Sequence, residues 1–314
     1  MITGAAGFIG SHLSEKLVEM GEQVIGVDNF DPFYHREIKE NNINELRNNP
    51  NFRFYEADIL DWNAIRDIFQ NNSVTHLVHL AAKAGVRPSI EQPVAYQKFN
   101  VEGTQNMLEL CRQFNISNFV FASSSSVYGN NKKVPFSETD PVDNPISPYA
   151  ATKKAGELLC YTYHHLFGMN IAALRFFTVY GPRQRPEMAI HKFTRLIDEG
   201  KPIEVYGFGK PERDFTYIDD IIQGILKTID NLSGFEIYNL GESQTIRLDR
   251  LISLIEKALG KAAVKIEKPM QPGDVDRTFA DISKARERLG YNPSTPIELG
   301  VQKFVEWYLK NKSF

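Results

Sequence analysis

Short apolar runs rich in β-type residues alternate, through the first half of the chain, with longer segments whose apolar positions recur every three to four residues. Gln23–Val27, Phe52–Tyr55, Val74–Leu80, Asn118–Ala122 and Asn170–Leu174 read as buried strands. His12–Met20, Trp62–Phe69, Val101–Phe114 and Tyr149–Leu166 read as helices between most of them. This alternation predicts a parallel sheet covered on both faces, with ligands beyond the carboxyl ends of its strands. After residue 178 the rhythm changes, and prolines cluster at Pro182, Pro186, Pro202 and Pro211. The expected fold class is α/β. A doubly wound parallel sheet of Rossmann type is built from 1–178 and 212–241, with the sheet resuming around Phe215–Leu240. A smaller discontinuous α/β substrate lobe is built from 179–211 and 242–314. The glycine-rich turn starts at Gly4, so only Met1–Thr3 precede it, whereas a strand normally needs about five residues. A few residues of native strand are therefore expected ahead of Met1.

Composition narrows the classes. The 314 residues are 42% hydrophobic and 24% charged, ordinary globular usage. No apolar run approaches ~18 residues and no secretory signal opens the chain. Cys111 and Cys160 are too few for a disulfide framework or a four-cysteine zinc site, and no metal is expected. A net charge of -3 without a dense basic block argues against nucleic acid. A soluble, cytoplasmic protein is expected, with neither nucleic acid nor membrane as partner.

Two constellations carry chemistry. Gly4, Gly7 and Gly10 permit a tight turn and close backbone approach to a pyrophosphate. The helix that follows would offer free N–H groups and its positive dipole end, with Phe8 and Ile9 among the expected cofactor contacts. The same glycines would also suit a mere packing turn. The next strand ends at Asp28, the place for an acid that accepts from an adenosine ribose hydroxyl. Asp28 would repel a 2'-phosphate and the adjacent Asn29 supplies no cation, which favours NAD over NADP. Tyr149 and Lys153, four apart, share one helix face. Three other Tyr-x-x-x-Lys matches fall in expected loops (Tyr128/Lys132, Tyr206/Lys210) or at the end of the chain (Tyr308/Lys312). Only Tyr149/Lys153 opens a long helix, after a strand that ends in Ser123–Ser126. A phenol must fall from a pKa of about 10 to about 7 to act as a base, roughly 4 kcal/mol of differential stabilisation. A neighbouring ammonium and a cationic nicotinamide can supply it, and a serine hydroxyl can share the proton.

These residues resemble the extended short-chain dehydrogenases/reductases, and within them the nucleotide-sugar 4-epimerases. The resemblance spans essentially the whole chain. It rests on TGAAGFIG at 3–10, Asp28, Asp58-Ile59, HLAAKAG at 79–85, Asn100-Val101-Glu102-Gly103-Thr104, SSSSVYG at 123–129 and SPYAATK at 147–153. RFFTVYGPRQRPEMA at 175–189, RDFTYIDD at 213–220 and PGDVDRT at 272–278 complete it. The resemblance implies that Asp58 and Ile59 contact adenine, and that Leu80, Ala81, Ala82 and Asn100 belong to the dinucleotide site. It makes Ser124 the active-site hydroxyl, Tyr149 the base and Lys153 the ribose-binding lysine. Arg213 would clamp the nucleotide diphosphate and Asp274 the uridine ribose, with Ala189 and Val205 among the substrate contacts.

Subfamily marks point further. Dehydratases of this family carry Asp-Glu after the active-site Thr, and the related decarboxylases a Glu just before Val-Tyr-Gly; here Ser125 and Ser126 stand there. Thr178, with Arg185-Pro186-Glu187-Met188-Ala189, looks like the UDP-glucuronate 4-epimerases. Arg185, with Thr178 and Ser126 as neutral donors, is the candidate site for a C6 carboxylate, and Arg87 a weaker one. Arg185 could instead be a solvated loop residue or a phosphate contact. The implied reaction oxidises C4, turns the 4-keto sugar and returns hydride to its opposite face, so NAD is regenerated. The keto acid intermediate is prone to lose CO2 unless its carboxylate is held out of line with the carbonyl. A 4-epimerase for neutral UDP-sugars, a UDP-glucuronate decarboxylase and a non-catalytic dinucleotide sensor are the alternatives. The resemblance also implies a homodimer paired through the helices near 101–114 and 149–166. The bulky residues of 157–167 suit such an interface or a wider core contact.

Overall fold

The computed structural model describes residues 1–270 and 277–312. Its centre is a seven-stranded sheet of β1 (Ile2–Thr3), β2 (Val24–Asp28), β3 (Phe52–Glu56), β4 (His76–His79), β5 (Asn118–Ser124), β6 (Asn170–Phe176) and β7 (Phe235–Leu240). The spatial order is β7-β6-β5-β4-β1-β2-β3, and every neighbouring pair is parallel. The order reverses direction between β1 and β4, which opens a crevice above their carboxyl ends. Helices α1 (Phe8–Glu19) and α2 (Arg36–Asn42) follow β1 and β2. Next come α3 (Trp62–Gln70), α4 (Gly103–Gln113), α5 (Pro148–Phe167) and α6 (Ile218–Asp230).

Strand periodicity divides the core. Phe119, Phe121, Ile171 and Ala173 face a cluster built with Ile65, Ile68 and Phe69 of α3, Met107, Leu108 and Cys111 of α4, and Cys160 and Tyr163 of α5. The alternate residues Val120, Ala122, Ala172 and Leu174 face Leu13 of α1 and Ile221, Ile222 and Ile225 of α6. That second cluster runs on without a break into Ile190, Ile197, Ile203, Leu251, Ile255, Val301 and Phe304 of the later part of the chain. Cys111 and Cys160 are buried and unbonded to each other.

The structure departs from the sequence reading in three places. Helix α1 starts at Phe8 rather than His12, because its N-cap is Gly7 itself and the glycine turn passes straight into the helix. The helix expected over 101–114 is broken: a π-helical turn covers Lys98–Glu102 before α4 begins. Its extra residue brings Asn100 inward, the usual reason a π-turn is kept near a site. The stretch 215–240 is not one run of sheet. Phe215–Tyr217 pairs with Thr178–Tyr180 in a separate two-stranded sheet, α6 follows, and only β7 joins the central sheet, beside β6.

Candidate active site

The glycine turn is packed as tightly as its composition suggests. Gly4 has φ +72°, and a Cβ there would lie 2.9 Å from Ala81 N. A Cβ on Gly10 would lie 2.1 Å from Gly4 O. Only glycine lets the α1 N-terminus come this close to the turn, and that terminus has neither a side-chain cap nor an acid in its first turn. Gly4, Gly7, Phe8, Ile9 and Gly10 line a cleft of about 400 Å³, together with Asp28, Asn29, Ile59, Leu80, Ala81 and Ala82. An uncapped helix N-terminus at one wall and an acid at the end of β2 fit a dinucleotide's pyrophosphate and adenosine ribose.

The fold also brings in a cation that adjacency in sequence did not show. Lys39 of α2 is buried, with Nζ 3.7 Å from Asp28 Oδ1. Ala6 N and Phe30 N donate to the same carboxylate at 3.2 and 2.8 Å. Asp28 is therefore held and partly neutralised, a circumstance that inspection of Asn29 alone missed. Asp58 does not line the cleft; it accepts from Asn29 Nδ2 at 2.9 Å and so ties the end of β2 to the loop after β3.

The far end of the cleft carries Tyr149 and Lys153 on α5, opposite Ser123–Ser126 at the end of β5. Ser147 caps α5 by accepting from Ala150 N at 3.1 Å, with Pro148 in the first turn, so the helix begins just ahead of Tyr149. Lys153 Nζ donates to Ala122 O at 2.6 Å and lies 5.9 Å from the Tyr149 ring centre. Burial pulls the Lys153 ammonium down to about 8. Burial also pushes the Tyr149 phenol above its ordinary value, against two opposing influences: a hydrogen bond from the Ser124 hydroxyl and the charge of Arg185. Ser124 Oγ accepts from Ser126 N at 3.1 Å, on the wall opposite Tyr149. Asn100, placed by the π-turn, acts behind this wall: its side chain accepts from Lys83 N and donates to Lys83 O and Thr152 Oγ1 at 2.8, 2.9 and 3.0 Å. It thus staples the cleft loop to α5.

Thr178 and Arg185 also line the cleft. The Arg185 guanidinium stacks over Phe33 at 5.5 Å and pairs with Glu187 at 3.1 Å. Arg87, Ala189, Val205 and Arg213 are not among the residues that line the cleft. Arg87 lies over the Tyr206 ring at 5.3 Å, next to Val205, and Arg213 donates to Glu212 O at 2.9 Å. Asp274 lies outside the described residues. Lys83, Asp31, Phe33, Tyr34 and Met188 line the cleft without having been singled out. Lys83 and Asp31 form an ion pair at 3.0 Å across some fifty residues of sequence, which no local pattern announces. Among the described residues that line the cleft, the only carboxylates are Asp28 and Asp31, paired with Lys39 and Lys83.

The family model described as GDP-mannose 4,6 dehydratase matches residues 1–304. An uncharacterised protein of Methanocaldococcus jannaschii is 49% identical over 316 residues, covering 100% of this chain and 97% of that protein. A UDP-glucuronate 4-epimerase of Thermodesulfobacterium geofontis is 45% identical over 312 residues, covering 99% and 96%. Among solved structures, UDP-glucuronic acid 4-epimerase from Bacillus cereus, in complex with UDP-glucuronic acid and NAD, superimposes with a TM-score of 0.92 at 38% identity, covering 98% of each chain.

Proposed function

From the premise that the chain belongs to the family described as GDP-mannose 4,6 dehydratase, a group of extended short-chain dehydrogenases/reductases, we propose that it is an NAD-dependent 4-epimerase interconverting UDP-glucuronate and UDP-galacturonate. One observation carries the choice of epimerisation over elimination: the wall facing Tyr149 is Ser123–Ser126, and the only carboxylates lining the cleft among the described residues, Asp28 and Asp31, are engaged with Lys39 and Lys83. Dehydration needs an acid–base carboxylate there, whereas epimerisation needs only one base for the C4 hydroxyl proton. Arg185, on the same cleft and close enough for its charge to act on Tyr149, favours a uronate over a neutral sugar.

NAD, when bound, supplies the acceptor and donor of the C4 hydride. The protein's own part is positional and electrostatic. Tyr149 takes and returns the C4 hydroxyl proton, Ser124 shares it, and Lys153 holds its positive charge beside the phenol. Arg185, Thr178 and Ser126 hold the carboxylate away from alignment with the C4 carbonyl, so that CO2 is retained. The two-lobed division at 178, 212 and 241 is part of this reading, supported by the return of β7 to the central sheet. So is a homodimer paired through α4 and α5, supported by the exposed Leu158, Tyr161, Leu166 and Phe167 of α5. Two buried thiols without a disulfide fit a reducing cytoplasm, and among the described residues no helix is long and apolar enough to cross a membrane.

The deciding experiment incubates the purified protein with UDP-glucuronate and follows products by proton NMR. UDP-galacturonate without net NADH is expected. UDP-pentose with CO2 would make the chain a decarboxylase; conversion of UDP-glucose alone would give the neutral-sugar reading. Arg185→Ala should lower uronate turnover far more than NAD content, and equal loss of both would remove Arg185 from the substrate site.

A further inference from the structure

Asp214 follows Arg213 and is completely buried, at 0% exposure, yet it lines no part of the cleft. Its two carboxylate oxygens collect four donors. Oδ1 accepts from Glu242 N at 2.7 Å and Thr216 Oγ1 at 3.2 Å; Oδ2 accepts from Ser243 N and Ala280 N, each at 3.1 Å. Its main chain is engaged as well: its carbonyl accepts from Thr178 N at 3.0 Å, and its N–H donates to Thr278 Oγ1 at 3.2 Å. These partners come from separate stretches of chain. Thr178 follows β6, Glu242 and Ser243 follow β7, and Thr278 and Ala280 lie near the end of the chain's second half. Gly241 permits the approach, since a Cβ there would lie 2.5 Å from Ala280 Cβ and 3.1 Å from Asp214 Oδ2. Among the described residues no cation pairs with this carboxylate, and burial pushes it up to about 6 in spite of the four donors. The four donors alone hold this carboxylate, and an apolar residue in its place would leave all four unsatisfied.

We infer that Asp214 is a positioning residue for the nucleotide end of the substrate: it sets the strand that carries Arg213 against Thr178 and against the segment 278–280. The inference rests on the nucleotide-sugar reading above and on Arg213 as the diphosphate contact that the resemblance implies. Only a group that accepts on both sides suits this place. In Asp214→Asn the amide must face at least one backbone N–H, whichever way it turns, and the knot loosens.

The test uses the NAD-loaded enzyme and UDP itself as the probe, by calorimetry, beside UDP-glucuronate kinetics. Asp214→Asn is expected to weaken UDP binding and raise KM by about ten- to a hundredfold, the scale of a buried donor left unpaired. Bound NAD should stay within about twofold, because Asp214 and its four donors line no part of the cleft. Thr216→Val, which removes one donor of the four and keeps the shape, should weaken UDP by about two- to tenfold and carries the test if Asp214→Asn does not fold. Unchanged UDP affinity in either variant overturns the inference, as does a fall in kcat with KM unmoved. Wild-type protein that converts UDP-glucuronate, beside a variant that holds UDP normally, overturns the inference alone and leaves the proposed function standing.

Discussion

Tyr149 shows how a single side chain can be right in kind and still need its surroundings. Burial raises its pKa, and the Ser124 hydroxyl and the Arg185 charge only partly offset that. The phenol is therefore not a base by itself; in the proposed reaction it becomes one as positive charge and the substrate's own hydroxyl are brought beside it. Tyr149→Phe should bind UDP-sugar yet turn over at least ~100-fold more slowly, the usual scale for lost acid–base help; near-normal turnover would refute its role. Lys153 gives a prediction with a defined sign. Its folded pKa, about 8, lies below the ordinary lysine value. Between about 8 and about 10.4 the unfolded chain therefore binds the extra proton, and stability rises with pH across that window. Thermal midpoints of the cofactor-free protein, measured as wild type minus Lys153→Met, should rise from pH 8 to 10. A flat difference would mean that the ammonium is not desolvated as the geometry requires.

At the level of elements, α5 carries both Tyr149 and Lys153, and its seat on β5 decides where the phenol points. Gly156, one turn beyond Lys153, allows that seat: a Cβ there would lie 2.3 Å from the tip of the Phe121 ring. Gly156→Ala gains up to about 1 kcal/mol of helix propensity but meets an overpacking cost of about 1–3 kcal/mol. The cost should win, with a lower denaturant midpoint and reduced turnover as α5 lifts from the sheet. An equal or higher midpoint would show that Phe121 yields freely. Glu157, on the next residue, holds the same helix from behind through a buried bidentate pair with Arg175 of β6 at 2.8 and 2.9 Å, and accepts from Ser123 Oγ at 2.6 Å. The strand that supplies the serines and the helix that supplies Tyr149 are thus locked to each other on both sides.

For the whole molecule, the outer face of α5 is the feature that one chain does not explain. Leu158 and Leu166 are 56% and 61% exposed, with Tyr161 and Phe167 beside them. A face of this kind suits a second copy pairing through α4 and α5. The wild type is expected to sediment as a dimer, and Leu158→Glu combined with Leu166→Glu as a monomer with the cofactor still bound. A double variant that remains a dimer would place the interface elsewhere.

The sequence by itself determined the α/β class, the glycine turn at 4–10 and the helix face shared by Tyr149 and Lys153. These are local matters, since period, turn chemistry and i, i+4 spacing are written within about ten residues. It also showed that serines stand where an eliminating enzyme of this kind has acids. Tertiary structure alone decided that Lys39 stands against Asp28, that Lys83 pairs with Asp31, and that a π-turn presents Asn100 to the loop behind the site. It alone sent Phe215–Tyr217 to Thr178–Tyr180 rather than to the central sheet, and gathered four donors onto Asp214. The reason is distance along the chain. Thr216 apart, those partners lie eleven to sixty-six residues from one another along the chain, and what joins them is the crossing of strands, a property of topology that no local pattern of residues encodes.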